Sequence, residues 1–278
     1  MDSRAIDATE NKFIDVNGIS THYYEAGVGS PLILMHGGGA GADAYGNWRG
    51  CISAFAKHFH VFAIDMIGFG FTDKPDPVSY EYSQVKRTEH VIGLIENLGL
   101  DSVNLIGNSM GGLTAIGVAV EKPALVNKLI LMGSAGIKAP LSDELKSIMN
   151  YDYSIAGMEK IVRGLTNPNF KVDADIVEYR HQLSIESATR AAYNAVMGWI
   201  REQGALFGEE DYISRVSQPA LVVNGKLDKV VQLECAYRLL ELIDNSTGYI
   251  LPDCGHWAMI EHPEKFSKIA ISFLNDDY

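Results

Sequence analysis

The run Gly107-Asn108-Ser109-Met110-Gly111-Gly112 decides how the rest of this 278-residue chain is read. Before it, residues 101–106 are short and aliphatic, as in a buried strand. After it, residues 113–121 are mostly Ala, Val, Ile and Leu, which predicts a buried helix that Pro123 stops. A Gly-x-Ser-x-Gly between strand and helix predicts a sharp turn that lifts a serine hydroxyl clear of a sheet. Such a turn strains the serine backbone and crowds the positions two residues to either side, and glycine relieves the crowding. The hydroxyl then stands at a helix N-terminus, where N–H groups and the helix dipole favour negative charge. Gly and Ser are common in loops, so the pentapeptide alone says little. Its strand–helix setting is what makes Ser109 a candidate nucleophile.

Working outward, Asn17-Gly18 within residues 13–24 is a strong hairpin signal. Residues 31–35 form an apolar strand that runs into His36-Gly37-Gly38-Gly39-Ala40-Gly41, with a helix expected over 52–57. Residues 61–64 are another buried strand, ending at Asp65; Gly68 and Gly70 then open a loop, and 82–98 read as a helix closed by Gly99. One more strand covers 129–132. Strands that alternate with helices and are nearly continuously hydrophobic predict an α/β fold, a mostly parallel sheet covered on both faces. From residue 137 the pattern changes. Amphipathic segments over 143–153, 158–165, 173–183 and 188–200 predict helices and no strand. Strands resume at 220–225 and 248–251, and a last helix covers 263–274. The expected organisation is a core domain of residues 1–136 and 214–278 carrying a helical cap of residues 137–213, with a pocket between the layers.

A net charge of −12 argues against nucleic acid or an anionic membrane as partner, since either calls for a basic face. Residues 1–11 are polar and acidic, unlike a secretion signal, and no run approaches a membrane span. Cys51, Cys235 and Cys254 are an odd number without C-x-x-C spacing, which suits free thiols in the cytoplasm. There is no H-E-x-x-H and no Cys/His ligand spacing, so no metal and no cofactor are expected.

Two loops supply partners for Ser109. Asp228 follows the strand at 220–225, and His256 follows the strand at 248–251 within Asp253-Cys254-Gly255-His256-Trp257. The order Ser, Asp, His is that of a triad in which the imidazole takes and returns the serine proton and the carboxylate holds its tautomer. Asp253 competes with Asp228, but three residues before His256 in one loop it could hardly turn back to the ring. After the strand ending at Met132 the chain offers Gly133 and Ser134, so no carboxylate is available there. Gly39-Ala40-Gly41-Ala42-Asp43-Ala44 loosely imitates a dinucleotide fingerprint, with Asp65 as the ribose acid. That reading leaves Ser109, Asp228 and His256 unexplained. His-Gly-Gly-Gly at this place instead supplies half of an oxyanion hole, the N–H of Gly38 joining that of Met110. His36 is expected to orient the loop.

Taken together, His36-Gly37-Gly38-Gly39-Ala40-Gly41, Asn47-Trp48, Gly107-Asn108-Ser109-Met110-Gly111-Gly112 and Cys254-Gly255-His256-Trp257 resemble the meta-cleavage product hydrolases of the α/β-hydrolase fold. The resemblance covers nearly the whole core, is weaker in the cap, and departs at Ala40, where many relatives have proline. It implies hydrolysis of a carbon–carbon bond in 2-hydroxy-6-oxo-hexa-2,4-dienoates, small-molecule products of aromatic ring fission such as those of carbazole or biphenyl breakdown. It also implies a homo-oligomer. By the same resemblance, Arg180 meets the substrate carboxylate, Asn47 and Asn108 lie around the dienoate, and Trp257 walls the pocket. A carboxylesterase on the same triad and a hydrolase-fold receptor with vestigial turnover are the rival readings. A haloalkane dehalogenase would need Asp in place of Ser109.

Overall fold

Asn17 and Gly18 both adopt positive φ, 55° and 83°, and close the hairpin between β1 (Glu10–Val16) and β2 (Ile19–Ala26). A two-residue turn that matches strand twist needs left-handed backbone at both central positions, which Asn-Gly accepts cheaply. The computed structural model describes residues 10–277, so the opening stretch to residue 9 and Tyr278, both within the expected core segments, lie outside the described residues. Six more strands follow: β3 (Ser30–Met35), β4 (Phe59–Ile64), β5 (Val103–Asn108), β6 (Val126–Met132), β7 (Ala220–Gly225) and β8 (Ser246–Leu251). They join the hairpin in one sheet of order β1-β2-β4-β3-β5-β6-β7-β8. β1, β2 and β4 pair antiparallel in succession, and every pairing from β4 through β8 is parallel. Every residue of β5 and of β7 is buried, as befits strands covered on both faces.

Short helices α1 (Ala44–Trp48) and α2 (Ile52–Phe55) lie between β3 and β4, and α3 (Gln84–Asn97) and α4 (Met110–Glu121) flank β5. All of α4 up to Val120 is buried, which explains its all-round apolar sequence. Between β6 and β7 come α5 (Asp143–Met149), α6 (Ile155–Leu165), α7 (Ala174–Ile185), α8 (Ser187–Gln203) and α9 (Glu210–Ile213). The first four begin on a side chain that accepts a backbone N–H: Ser142, Ser154, Asp173 and Glu186. Such caps contribute about 0.5–2 kcal/mol each. The chain ends with α10 (Leu233–Leu242), α11 (Ala258–Glu261) and α12 (Pro263–Leu274). Neither α1, α9, α10 nor α11 was among the helices expected from the sequence.

The strand order positions the site. β3 lies between β4 and β5, so the chain leaves β3 in one direction and later returns to its other side. Loops at the carboxyl ends of such neighbours diverge and leave a crevice. Met35 at the end of β3 is level with Gly107 of β5, and Asn108 is level with Met132 of β6. The His36–Gly41 loop and the Ser109 turn therefore emerge side by side.

Candidate active site

Ser109 has φ 55° and ψ −116°, a left-handed backbone that few side-chain-bearing residues adopt. A Cβ on Gly107 would stand 2.3 Å from the Gly111 oxygen, and one on Gly111 would stand 2.5 Å from the Met35 oxygen. Both glycines are thus demanded by the turn, as the sequence predicts. The Ser109 N–H is tied to the Met132 oxygen at 3.1 Å, which fixes the turn against β6. Met110 is the first residue of α4, where an N–H has no partner within the helix.

His256 and Asp228 come together from neighbouring strands. The His256 Nδ1 lies 2.8 Å from Asp228 Oδ2, with both side chains buried. The other carboxylate oxygen accepts the N–H groups of Val230 and Val231 at 2.8 and 2.9 Å, so the whole group is held in place. Asp253 is exposed, and only its backbone oxygen is engaged, by Asn167 and His262. Gly133 has φ +50°, and a Cβ there would approach His256 Nδ1 to 3.0 Å. A side chain at Gly133 would therefore press on both the imidazole and Asp228 Oδ2, 3.2 Å away. The loop bearing His256 is gripped from two sides. Its backbone N–H donates to Leu165 of α6, while buried Glu261 accepts from Gly255 N at 2.9 Å and from Asn167 N and Nδ2.

His36 orients the glycine loop. Its Nε2 accepts the Met66 N–H at 3.0 Å, so the ring proton sits on Nδ1, which donates to the Gly37 oxygen at 2.7 Å. Burial pushes this imidazole down to about 4, so it stays neutral. Gly38 packs so closely on Met110 that an added Cβ would meet Met110 Sδ at 2.9 Å. Asp65 is occupied by His22, Ala44 N and Phe71 N, which leaves it nothing to offer a ribose and disposes of the dinucleotide reading.

Ser109, His256, Gly38 and Met110 line one cavity of about 1000 Å³, counting the space at its mouth. Asn47, Asn108, Arg180 and Trp257 line it too. Asn108 Nδ2 donates to the Met132 oxygen, which leaves its buried Oδ1 without a partner. Arg180 reaches down from α7 and is 1% exposed. Its Nη2 donates to the Ala40 oxygen at 2.9 Å and its Nη1 to Asn47 Oδ1 at 3.2 Å, while its Nε has no partner. The guanidinium lies 4.9 Å over the Trp257 ring. Among the described residues no carboxylate oxygen comes within 4.0 Å of it. Burial lowers its pKa to about 10, which keeps it charged at neutral pH. Much of the remaining lining is apolar: Ile137, Leu141, Leu145, Ile148, Met197 and Ile200, with Val230 and Val231 bonded to Asp228. None of these was singled out from the sequence, because amphipathic helices look alike whether they face a core or a cavity.

Residues 30–263 match the profile of the α/β hydrolase fold family. A 2-hydroxy-6-oxo-6-(2'-aminophenyl)hexa-2,4-dienoic acid hydrolase of Metapseudomonas resinovorans is 50% identical over 95% of this chain and 90% of its own. The chain belongs to the meta-cleavage product hydrolases of the α/β-hydrolase family. Solved structures agree. A serine hydrolase involved in carbazole degradation superposes with a TM-score of 0.89 at 48% identity, over 96% of this chain and 99% of the other. A meta-cleavage product hydrolase from Pseudomonas fluorescens gives the same TM-score at 32% identity, over 96% and 98% of the two chains. The α/β-hydrolase fold expected from the sequence is thus the fold of the molecule.

Proposed function

We propose that this meta-cleavage product hydrolase cleaves the bond between C5 and C6 of 2-hydroxy-6-oxo-hexa-2,4-dienoates, giving 2-hydroxypenta-2,4-dienoate and a carboxylic acid. The observation that carries the proposal is the polarity of the cavity. A buried guanidinium with no carboxylate paired to it among the described residues, a set of apolar side chains, and Ser109 with His256 all line the same cavity. A dienoate has groups to match each of them: a carboxylate, a 6-substituent, and a ketone on a conjugated chain. The 2-aminophenyl group named for the Metapseudomonas resinovorans relative supports an aryl substituent against the apolar side chains.

In this reading Arg180 and Asn47 hold the carboxylate end, and the free Oδ1 of Asn108 accepts from the 2-hydroxyl. The dienol first becomes the keto form, losing the hydroxyl proton and gaining one at C5, with His256 as shuttle. Oxygen then adds to C6, and the N–H groups of Gly38 and Met110 take the oxyanion. The C5–C6 bond breaks with its electron pair going to C5, where the conjugated 2-carbonyl accepts it. Asp228 keeps the proton of His256 on Nδ1, so Nε2 is free to work. Ser109 either attacks C6 or activates water, and trapping of an acyl-enzyme distinguishes the two.

Residues 137–213 serve as the cap that closes the cavity, on the remainder of the chain as core. Three buried free thiols support a reducing compartment, the cytoplasm, and the family resemblance supports a homo-oligomer. The test is to follow bleaching of the yellow dienolate with 6-phenyl, 6-aminophenyl and 6-alkyl substrates beside simple aryl esters. Faster turnover of esters than of every dienoate would favour the carboxylesterase reading.

A further inference from the structure

Tyr179 and Arg180 are neighbours on α7, and both reach the same short core segment. The Tyr179 hydroxyl donates to Asp43 Oδ2. The other oxygen of Asp43 accepts the Gly46 N–H at 2.7 Å and caps α1, the helix that carries Asn47. Arg180 in turn donates to Asn47 and to Ala40. Four side chains thus form a closed ring in which each helix is tied to the other twice. The backbone of α7 also meets the glycine loop before α1 at this point. Gly41 has φ +62°, and a Cβ there would stand 1.9 Å from the Arg180 oxygen. Asp43 is fully buried and its charge favours the Arg180 cation, yet it is not in ion-pair contact with it.

The ring answers a problem the site poses. A long cationic side chain with only neutral acceptors has no ion pair to select its rotamer, and ordering it costs entropy. Five-residue α1 is likewise too short to fix the direction of Asn47 by itself. We propose that Tyr179 and Asp43 are a positioning pair, which holds the Arg180 guanidinium and the Asn47 amide in register to receive the substrate carboxylate. The inference rests on the assignment of Arg180 to that carboxylate. Neither residue touches substrate; each acts through its neighbour, Tyr179 through the backbone of α7 and Asp43 through the cap of α1.

The experiment measures KM and kcat on a 6-phenyl dienoate for the wild type, Tyr179→Phe, Arg180→Lys and the double variant. Tyr179→Phe removes one hydrogen bond to a carboxylate and should raise KM about tenfold while kcat changes less than about threefold. In the Arg180→Lys background the same change should raise KM by less than about threefold, since the guanidinium is gone and only Asn47 is left to position. Asp43→Asn keeps both an acceptor for Tyr179 and a helix cap, and should retain most of the affinity. Equal KM ratios in the two backgrounds, or a lower melting temperature with KM unchanged, would make the pair a structural seam and overturn the proposal. A wild type that turns over no dienoate would overturn the assignment of Arg180, and the pair with it.

Discussion

Replacing Arg180 by Gln tests the central feature of the site. Gln is shorter and uncharged, but it keeps an amide that can donate to the Ala40 oxygen, so the cap retains part of its anchor. What it removes is the one positive charge on the cavity wall that has no carboxylate within reach. A charge-assisted bidentate pair in a water-poor site contributes about 1.5–3 kcal/mol, so kcat/KM for a dienoate should fall about ten- to a hundredfold. The loss should lie toward the upper end, because the guanidinium is 1% exposed and no bulk water screens it. Arg180→Lys restores the charge without the planar fork and should recover only part of the loss. The assay is the decay of dienolate absorbance, run beside hydrolysis of a small neutral aryl ester that has no carboxylate to be held. Selective loss on the dienoate is the expected result. Equal losses on both substrates would mean that Arg180 merely props the cap, and the carboxylate would need another partner.

Asp228→Asn should leave the fold intact and lower kcat by up to roughly 10⁴-fold, while Asp253→Asn stays near wild type; the reverse pattern would break the triad assignment. Gly133→Ala places a methyl 3.0 Å from His256 Nδ1 at a φ of +50°, so kcat should drop by about a hundredfold, read against KM in the same assay. Burial holds His36 and His90 down at about 4 against 6.5 in the unfolded chain, so the unfolded state binds protons first and stability should fall as pH drops from 6.5 toward 4. Asp43, raised to about 6, works in the opposite sense but is one group against two, and a denaturant midpoint that rises from pH 6.5 to 5 would contradict this balance.

Much of this was legible before any coordinates, for reasons that differ by element. The buried strands show as unbroken aliphatic runs because the sheet is covered on both faces, and the hairpin shows because Asn17 and Gly18 tolerate positive φ. The Ser109 turn and the His256–Asp228 contact were expected because a strained turn and a fixed chain order leave few alternatives. Helix α1 was not readable, since five residues that include Gly46 carry no periodicity. Helix α10 does carry a helical period, with Leu233, Ala236, Leu239 and Leu240 spaced at threes and fours, and so is legible in the sequence although not among the expectations above. The cap helices were anticipated as helices, but not which of their faces lines the cavity. Helical periodicity does not separate Arg180 from Arg163, Arg190 or Arg201 either; the family resemblance singled it out. Burial separates them as well, since those three are exposed.

Burial alone, however, would not make Arg180 functional, and the molecule contains its own control. Arg87 on α3 is equally buried, and no carboxylate lies within 4.0 Å of it among the described residues. Each of its three nitrogens has a partner: Nη1 donates to the Tyr82 oxygen, Nε and Nη2 donate to Gln84 Oε1, and the group lies 5.4 Å over the Trp199 ring. Arg87 does not line the cavity, whereas Arg180 does and still has an unpartnered Nε. A buried cation is tolerated when dipoles and rings surround it, as at Arg87. At Arg180 one N–H is left over among the described residues, and Asp43, whose charge favours the cation, bonds Tyr179 instead. Completing the ion pair from within would have taken one acidic residue on the cavity wall. Among the described residues that line the cavity there is none, and in the proposed reading the substrate carboxylate supplies that charge.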